Sequence, residues 1–512
     1  MVIFDKYDND IAIMVKTIWK NKEDEVIIRK DNAKIKRVEL NLHTNMSHMD
    51  GVTSIKDYIN KAKEYGMTSL AITDHAVVQA FPEAQKYLER IEDKEFKVLY
   101  GMEGYYNPTN NINDKSYHIN ILVKNRTGLI NLYKLVSISN LEYFNKRPRI
   151  IKNILEENRE GLLIGSSCEQ GEIFEAILNN KTSEELEEII KPYDYIEIQP
   201  IANNYELIKN GIIKEEELKN INKKIVELGK KCNKLVVATG NVHFLNKEDE
   251  IYRRILQAEQ GYSEADNQPP LYFRTTEEML KEFDYLGKET AYEVVVTNTN
   301  KIADMCEQIN PVPSEKCYPY IKNSENDIKE LAFNGAYKLY GNPLSKEIEE
   351  RLNEELYSIV ENGFATLYII AQRLVSKSNK DGYIVGTRGL VGSSLVAYCI
   401  GITEIDPIKY NIPFEVFSGF NGDKEPDIDL NFAREYQKKA QEYVKDILEG
   451  VTTYKGGTIG TLYRADDIVK KYYEEKNINI NKKEIERISE GLIGIKRTTG
   501  QHPRRSNCCS KR

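Results

Sequence analysis

No run of apolar residues in this chain approaches the ~20 that a membrane-spanning helix needs, so the sequence predicts no membrane partner. The start, Met1-Val2-Ile3-Phe4-Asp5-Lys6, lacks the basic stretch and long apolar core of a signal peptide, which predicts a cytoplasmic location. Cysteine is scarce. Seven in 512 residues, without paired spacing, argue against a disulfide framework. A basic surplus is also missing. With a net charge of −8, any nucleic-acid contact has to come from local basic surface. Internal repeats and low-complexity segments are absent from the chain. What is present suits an ordinary globular protein, with 40% hydrophobic and 30% charged residues. The length suffices for about three domains.

One stretch organises the rest: Glu425-Pro426-Asp427-Ile428-Asp429-Leu430-Asn431-Phe432. On a β-strand, residues two apart share a face. Asp427 and Asp429 then project together, while Ile428 and Leu430 face a core. Paired carboxylates on a strand suit two Mg²⁺ ions about 3.5–4 Å apart, as in polymerases and nucleases. The plainer alternative is a loop before a helix, capped by Asp429 or Asn431.

Residues 37–315 alternate short apolar strands with helical segments, which predicts a parallel sheet or barrel. The strands are Arg37–Leu40, Leu70–Thr73, Phe96–Tyr100, Tyr117–Val123, Leu162–Gly165, Tyr195–Ile198 and Leu235–Thr239. A helix from about Ser54 to Tyr65 ends at Gly66. Ligand-type residues stand at or near the strand ends: His43, Asp50, His75, Glu103, His118, Cys168 and His243. In such folds, function collects at the carboxyl ends of strands. A lone histidine there is more often a hydrogen-bonded structural residue. Several in succession point to a metal centre, and imidazole, carboxylate and thiolate together suit Zn²⁺, Mn²⁺ or Fe²⁺. Such a centre activates water for attack on a phosphoester.

Further on, Ile348, Leu352, Leu356 and Ile359 mark one face of an amphipathic helix, and a second helix covers about Leu367 to Ser376. Then comes Gly386-Thr387-Arg388-Gly389-Leu390-Val391-Gly392-Ser393-Ser394. Its glycines allow close backbone approach to phosphates, and Ser393-Ser394 can open a helix whose N-terminus attracts anions. Arg388 can bind phosphate oxygens in bidentate fashion. An ordinary glycine-rich turn before a helix weighs equally for this stretch alone. It is neither a Walker A loop nor a dinucleotide fingerprint.

Val38-Glu39-Leu40-Asn41-Leu42-His43-Thr44, Ile72-Thr73-Asp74-His75 and Gly240-Asn241-Val242-His243 resemble the motifs of the polymerase-and-histidinol-phosphatase (PHP) domain. With Phe81-Pro82-Glu83-Ala84 and Leu132-Tyr133-Lys134-Leu135-Val136-Ser137, the stretch resembles the PHP domain of PolC-type bacterial replicative DNA polymerases. The resemblance implies nine metal-binding positions: Asn41, His43, Asp50, His75, Glu103, His118, Cys168, Asn241 and His243. The amides Asn41 and Asn241 stand where the family usually has His and often has Asp, and an amide is the weaker ligand. Zn²⁺ or Mn²⁺ is implied at this site. A structural PHP domain is at least as consistent with the two amides as a catalytic one.

The glycine-serine loop followed by the paired aspartates resembles the palm of a C-family polymerase. That likeness implies that Gly386, Arg388, Gly389, Gly392, Ser393 and Ser394 hold the triphosphate of an incoming nucleotide. It also implies that Asp427 and Asp429 bind catalytic Mg²⁺. Primer–template DNA and deoxynucleoside triphosphates follow as substrates, and replisome subunits such as the sliding clamp as partners. Gly456–Thr461 and Lys496–Pro503 also match the family.

The expected architecture is therefore α/β: a PHP-type (β/α) barrel, then an α+β palm fragment and a helical thumb. Residues 1–36 read as two strands, Ile11–Trp19 and Glu25–Arg29, perhaps the end of an oligonucleotide-binding barrel. Residues 37–315 form the PHP domain, with a short polar loop at Tyr105–Tyr117 where many relatives insert an exonuclease. Residues 316–432 form the palm, without the four-cysteine zinc module that many relatives carry between Pro407 and Ile412. Residues 433–495 form a thumb-like segment with helices at Glu435–Leu448 and Ala465–Lys476, whose Lys438, Lys439, Lys470 and Lys471 either touch duplex phosphate or are solvated. Residues 496–512 begin a return to the palm, and the match stops after Pro503. The tail Arg504–Arg512 reads like codons in a shifted frame. Since the family draws a third carboxylate and its fingers from beyond this point, little DNA synthesis is expected of the chain alone. Three functions follow: a DNA-directed DNA polymerase of DNA replication, a PHP phosphoesterase or 3′–5′ exonuclease, and a non-catalytic replisome scaffold.

Overall fold

The computed structural model describes residues 2–7, 10–15, 29–313, 319–419, 424–448 and 451–510, with backbone alone for 2–7, 10–15, 388, 451–455 and 503–510. The chain forms two compact units. The first is Met1–Pro313 with Ile459–Thr499, and the second is Ser314–Thr458 with Gly500–Arg512. The expected thumb segment 433–495 is thus divided between them. A two-stranded ribbon, Val451–Thr461 with Lys496–Ser510, has residues in both.

At the N-terminus the paired strands are Val2–Tyr7 and Asp10–Val15, antiparallel. They begin earlier than the expected Ile11–Trp19, because apolar Val2-Ile3-Phe4 is itself a strand former. The rest of that reading, Lys16–Ile28, lies outside the described residues.

In the first unit, seven short strands are joined in the order Leu235–Ala238, Tyr195–Ile198, Leu162–Gly165, Tyr117–Val123, Lys97–Asn107, Arg147–Ile151 and Phe144–Asn145. Ser69–Ile72 pairs with Lys97–Asn107 on a separate branch. Glu39 bridges to Leu70 and Leu42 to Val242, so the segment 38–42 links both ends and curls the sheet towards closure. Tyr117–Val123 runs antiparallel to both neighbours, which corrects the wholly parallel expectation. The physical reason is the short connection through residues 108–116. It allows a fold-back, whereas parallel neighbours need a long crossover.

Local sequence explains the elements around the site. Ser54 caps Ile55–Glu64 by accepting from the Asp57 amide, and Ile55, Tyr58, Ile59 and Ala62 turn one face into the core. Gly66 leaves the helix at φ +74°, a conformation that costs glycine little. Strand residues alternate between two sides. Ile119, Ile121 and Ile196 join the large outer core with the helices. Leu40, Ala71, Leu99, Leu122, Leu163, Tyr195 and Val237 fill the inside of the curl. Helices Asp466–Glu475 and Lys482–Leu492 pack on helix Glu250–Glu259 through Val469, Ile488, Leu492, Ile255 and Leu256.

The second unit is mainly helical. Ser324–Tyr340, Lys346–Glu361, Ala365–Lys380 and Leu395–Cys399 share one core, and Gln437–Ile447 adds Ile447 to it. Strands Gly386–Arg388 and Asp429–Asn431 pair antiparallel.

Candidate metal centre and phosphate loop

Eight of the nine positions read as metal ligands converge around one cavity of about 300 Å³ in the first unit or on the ligands that line it. Glu103 lies at the centre, on strand Lys97–Asn107. Its Oε2 is 3.2 Å from His43 Nε2 and 3.1 Å from His75 Nδ1, and its Oε1 is 3.4 Å from His118 Nδ1. Asp50 Oδ2 is 3.3 Å from His75 Nε2 and 3.2 Å from His243 Nε2. Cys168 Sγ is 3.5 Å from His118 Nδ1. The His43 ring lies 4.2 Å from those of both His75 and His243. Ligand atoms of His43, His75 and His243 fall within 4.8 Å of one another, as do those of His75, Glu103 and His118. Asn241 lines the cavity with φ +49°. The ninth position, Asn41, is fully buried behind the ligands and donates to Glu197 Oε2 at 3.3 Å.

The donor set fits a cation. His43 Nε2, His75 Nδ1, His118 Nε2 and Asn241 Oδ1 are all buried without a hydrogen-bond partner. Burying such groups unpaired costs free energy that a bound cation recovers. Burial pushes His43 down to about 3, and His243 and His75 add to the shift, so it stands as a neutral ligand. Burial alone raises Asp50, but Arg253 and His243 outweigh it and hold the carboxyl well below its ordinary range. Burial likewise opposes ionisation of Glu103, and His118 with its neighbours outweighs it. Burial pushes the Cys168 thiol well above its usual value, and Glu169 and Glu103 reinforce this. A metal is then needed to draw off its proton.

Sequence reasoning missed the groups that hold these ligands. Ser47 Oγ meets His43 Nδ1 at 3.1 Å and donates to Asp74 at 2.8 Å. Ser167, at φ +56°, donates to Glu103. Glu197 accepts from Asn41, Asn120 and Thr239 inside the curl. A signal for Glu197 existed, since a carboxylate within the apolar strand Tyr195–Ile198 has to be buried and partnered.

In the second unit the antiparallel register sets Arg388 opposite Asp429 and Gly386 opposite Asn431. Asp427 and Asp429 are exposed, whereas Ile428 and Leu430 are half-buried against the core. A Cβ on Gly389, at φ +78°, would lie 3.7 Å from the Asp429 carboxylate. The Arg388 side chain lies outside the described residues. Gly392 packs against Ile405. Ser393 and Ser394 are buried: Ser393 Oγ donates to Leu390 O at 2.7 Å and Ser394 Oγ to Glu355 at 2.9 Å. Ser394 caps helix Leu395–Cys399, but Glu355 takes the amides of Leu395 and Val396 at 3.0 Å each. The anion-attracting end of this helix is therefore filled by a carboxylate of the chain. Glu355 sits on the stripe Leu352, Leu356, Ile359, where a charged residue was a readable signal.

The lysines read as phosphate contacts have acidic neighbours. Lys439 pairs with Asp381 at 2.7 Å, Lys471 with Glu259 at 2.9 Å and Lys438 with Glu442 at 3.9 Å. Lys470 is exposed.

The family model for the PHP domain matches residues 39–200, and that for the bacterial DNA polymerase III alpha NTPase domain matches residues 326–468. DNA polymerase III PolC-type of Clostridium perfringens is 49% identical over 431 residues, 76% of this chain and 30% of that one. The chain belongs to the PolC-type DNA polymerase III family. The PolC-type protein of Caldanaerobacter subterraneus aligns with 98% of the chain at 36% identity, and 53% of that protein is covered. The chain thus spans about half or less of the length of these PolC-type relatives. Among solved structures, PsfC from Pseudomonas syringae overlaps 41% of this chain and 76% of its own, at 14% identity and a TM-score of 0.23. Among the described residues, no helix is long and apolar enough to cross a membrane.

Proposed function

We propose that this chain carries the PHP domain and nucleotide-binding palm of a DNA-directed DNA polymerase, a nucleotidyltransferase acting on primer–template DNA with deoxynucleoside triphosphates. The observation that carries it is the register of Arg388 with Asp429, which brings the Asp429 carboxylate beside Gly389. Asp427 and Asp429 are the residues to hold Mg²⁺, and their exposure leaves both open to a nucleotide. Mg²⁺ held there would activate the primer 3′-hydroxyl and neutralise the departing pyrophosphate. Gly386 and Gly389 offer close backbone approach to the phosphates. Ser393 and Ser394 act from beneath, shaping the loop through Leu390 and Glu355.

The test is Mg²⁺-dependent binding of a fluorescent deoxynucleoside triphosphate to the purified chain. Asp429→Asn is expected to abolish the Mg²⁺-dependent part. Equal binding by both proteins would overturn the assignment.

The buried, unpartnered imidazole nitrogens favour a second activity in the PHP domain, a metal-dependent phosphoesterase or 3′–5′ exonuclease. His43, Asp50, His75, Glu103, His118, Cys168 and His243 are the residues to hold Zn²⁺ or Mn²⁺, with His43 neutral and Glu103 ionised at the centre. Bound there, the metal would supply an activated water. Release of mononucleotides from a DNA 3′-end with Mn²⁺, lost in His75→Ala, is expected. Metal uptake without turnover would make the centre structural.

A further inference from the structure

We infer that Arg253 is a positioning residue for the metal centre: it grips one oxygen of Asp50 and thereby commits the other to the metal. This rests on the reading of Asp50 as a ligand. The guanidinium approaches Asp50 Oδ1 twice, from Nε at 2.8 Å and from Nη2 at 2.8 Å. Its Nη1 donates to Gln268 Oε1 at 2.8 Å, which leaves the fork no freedom to turn towards the cavity. Asp50 Oδ2 is left between His75 Nε2 and His243 Nε2, at 3.3 and 3.2 Å. A carboxylate whose second oxygen is taken binds a cation through one oxygen only, in a fixed direction.

The grip is anchored from behind. Arg253 rides on helix Glu250–Glu259, whose Ile255 and Leu256 are fully buried against Val469, Ile488 and Leu492. The Asp50 loop is tied to the same structure. The Met49 amide donates to Lys496 O at 3.0 Å, and Gln260 Nε2 donates to Met49 O at 2.8 Å. Carboxylate and guanidinium are therefore each fixed independently, so their meeting is imposed by the fold. Outer-shell partners that orient a ligand in this way change metal affinity by about 10–100-fold when lost.

The experiment is a Co²⁺ titration of the full chain, read by visible absorption, for wild type, Arg253→Lys and Arg253→Gln, with unfolding in chelator as a check on folding. Both variants are expected to unfold like wild type without metal. Both should bind Co²⁺ about 10-fold or more weakly, with a changed band shape as Asp50 becomes free to offer both oxygens. Lysine keeps the charge but not the fork, so its failure to rescue separates orientation from charge. Wild-type affinity and spectrum in both variants would overturn the role of Arg253 and leave the metal centre standing. No Co²⁺ uptake by the wild type would overturn both readings.

Discussion

Glu355 and Ser394, 39 residues apart, meet at 2.9 Å inside the second unit, and the same carboxylate takes two amides at the start of the helix that Ser394 caps. Arg351 completes the arrangement, with Nε 3.0 Å from Glu355 and Nη2 2.7 Å from the carbonyl of Ser393. The loop beside Asp429 is thus shaped from its buried side.

Glu355→Ala leaves a hydroxyl, two amides and a guanidinium without their acceptor. Loss of one buried partner of this kind costs about 3 kcal/mol or more. Urea unfolding of the chain is expected to show the second unit melting earlier, with the first unchanged. A loss below about 1 kcal/mol would mean that water replaces the carboxylate.

Asp427 and Asp429 are exposed, so their replacement by alanine should leave stability within about 0.5 kcal/mol. Mg²⁺-dependent nucleotide binding should fall in both. A large drop in melting temperature would show that the pair serves the fold instead.

Burial pushes Glu197 up to about 7, from an ordinary 4.5, even though Asn120, Thr239 and Asn41 pull the other way. Between these values the folded chain holds a proton that the unfolded chain has released. The stability linked to it is present below pH 4.5 and is lost as pH rises through about 7. Its size is on the order of 3 kcal/mol. In chelator, urea unfolding at about pH 5 and about pH 8 should show this loss in the wild type and a flatter profile in Glu197→Gln. Equal slopes would assign the pH dependence to other groups.

Metal binding should stabilise the first unit by mass action, by about 2.7 kcal/mol at a hundredfold excess over Kd. His75→Ala should remove most of this gain, because His75 belongs to both ligand groups around the cavity. Thermal unfolding with and without Mn²⁺ measures it, and an identical gain in the variant would place the ion elsewhere.

Gly51 supports the Asp50 loop from below. A Cβ there would fall 2.0 Å from the carbonyl oxygen of Thr44. Gly51→Ala is expected to cost about 1–3 kcal/mol and to weaken Co²⁺ binding, since the loop has to shift to make room. Unchanged affinity would show that Asp50 tolerates the displacement.

Much of the molecule was legible along the chain. Capping chemistry and a 3.6-residue period mark Ile55–Glu64, and alternation marks Ile428 and Leu430 as inward and Asp427 and Asp429 as outward. The ligand residues near the strand ends were also readable, because strand and turn signals are local. The reversed direction of Tyr117–Val123, the assignment of Ile459–Thr499 to the first unit, and the partners Arg253 of Asp50 and Glu355 of Ser394 were not. Local pattern determines which face of an element seeks a core and which residues carry chemistry. Which distant segment meets that face is decided by packing and by the need to satisfy every buried charge, and both depend on contacts between residues far apart in the chain.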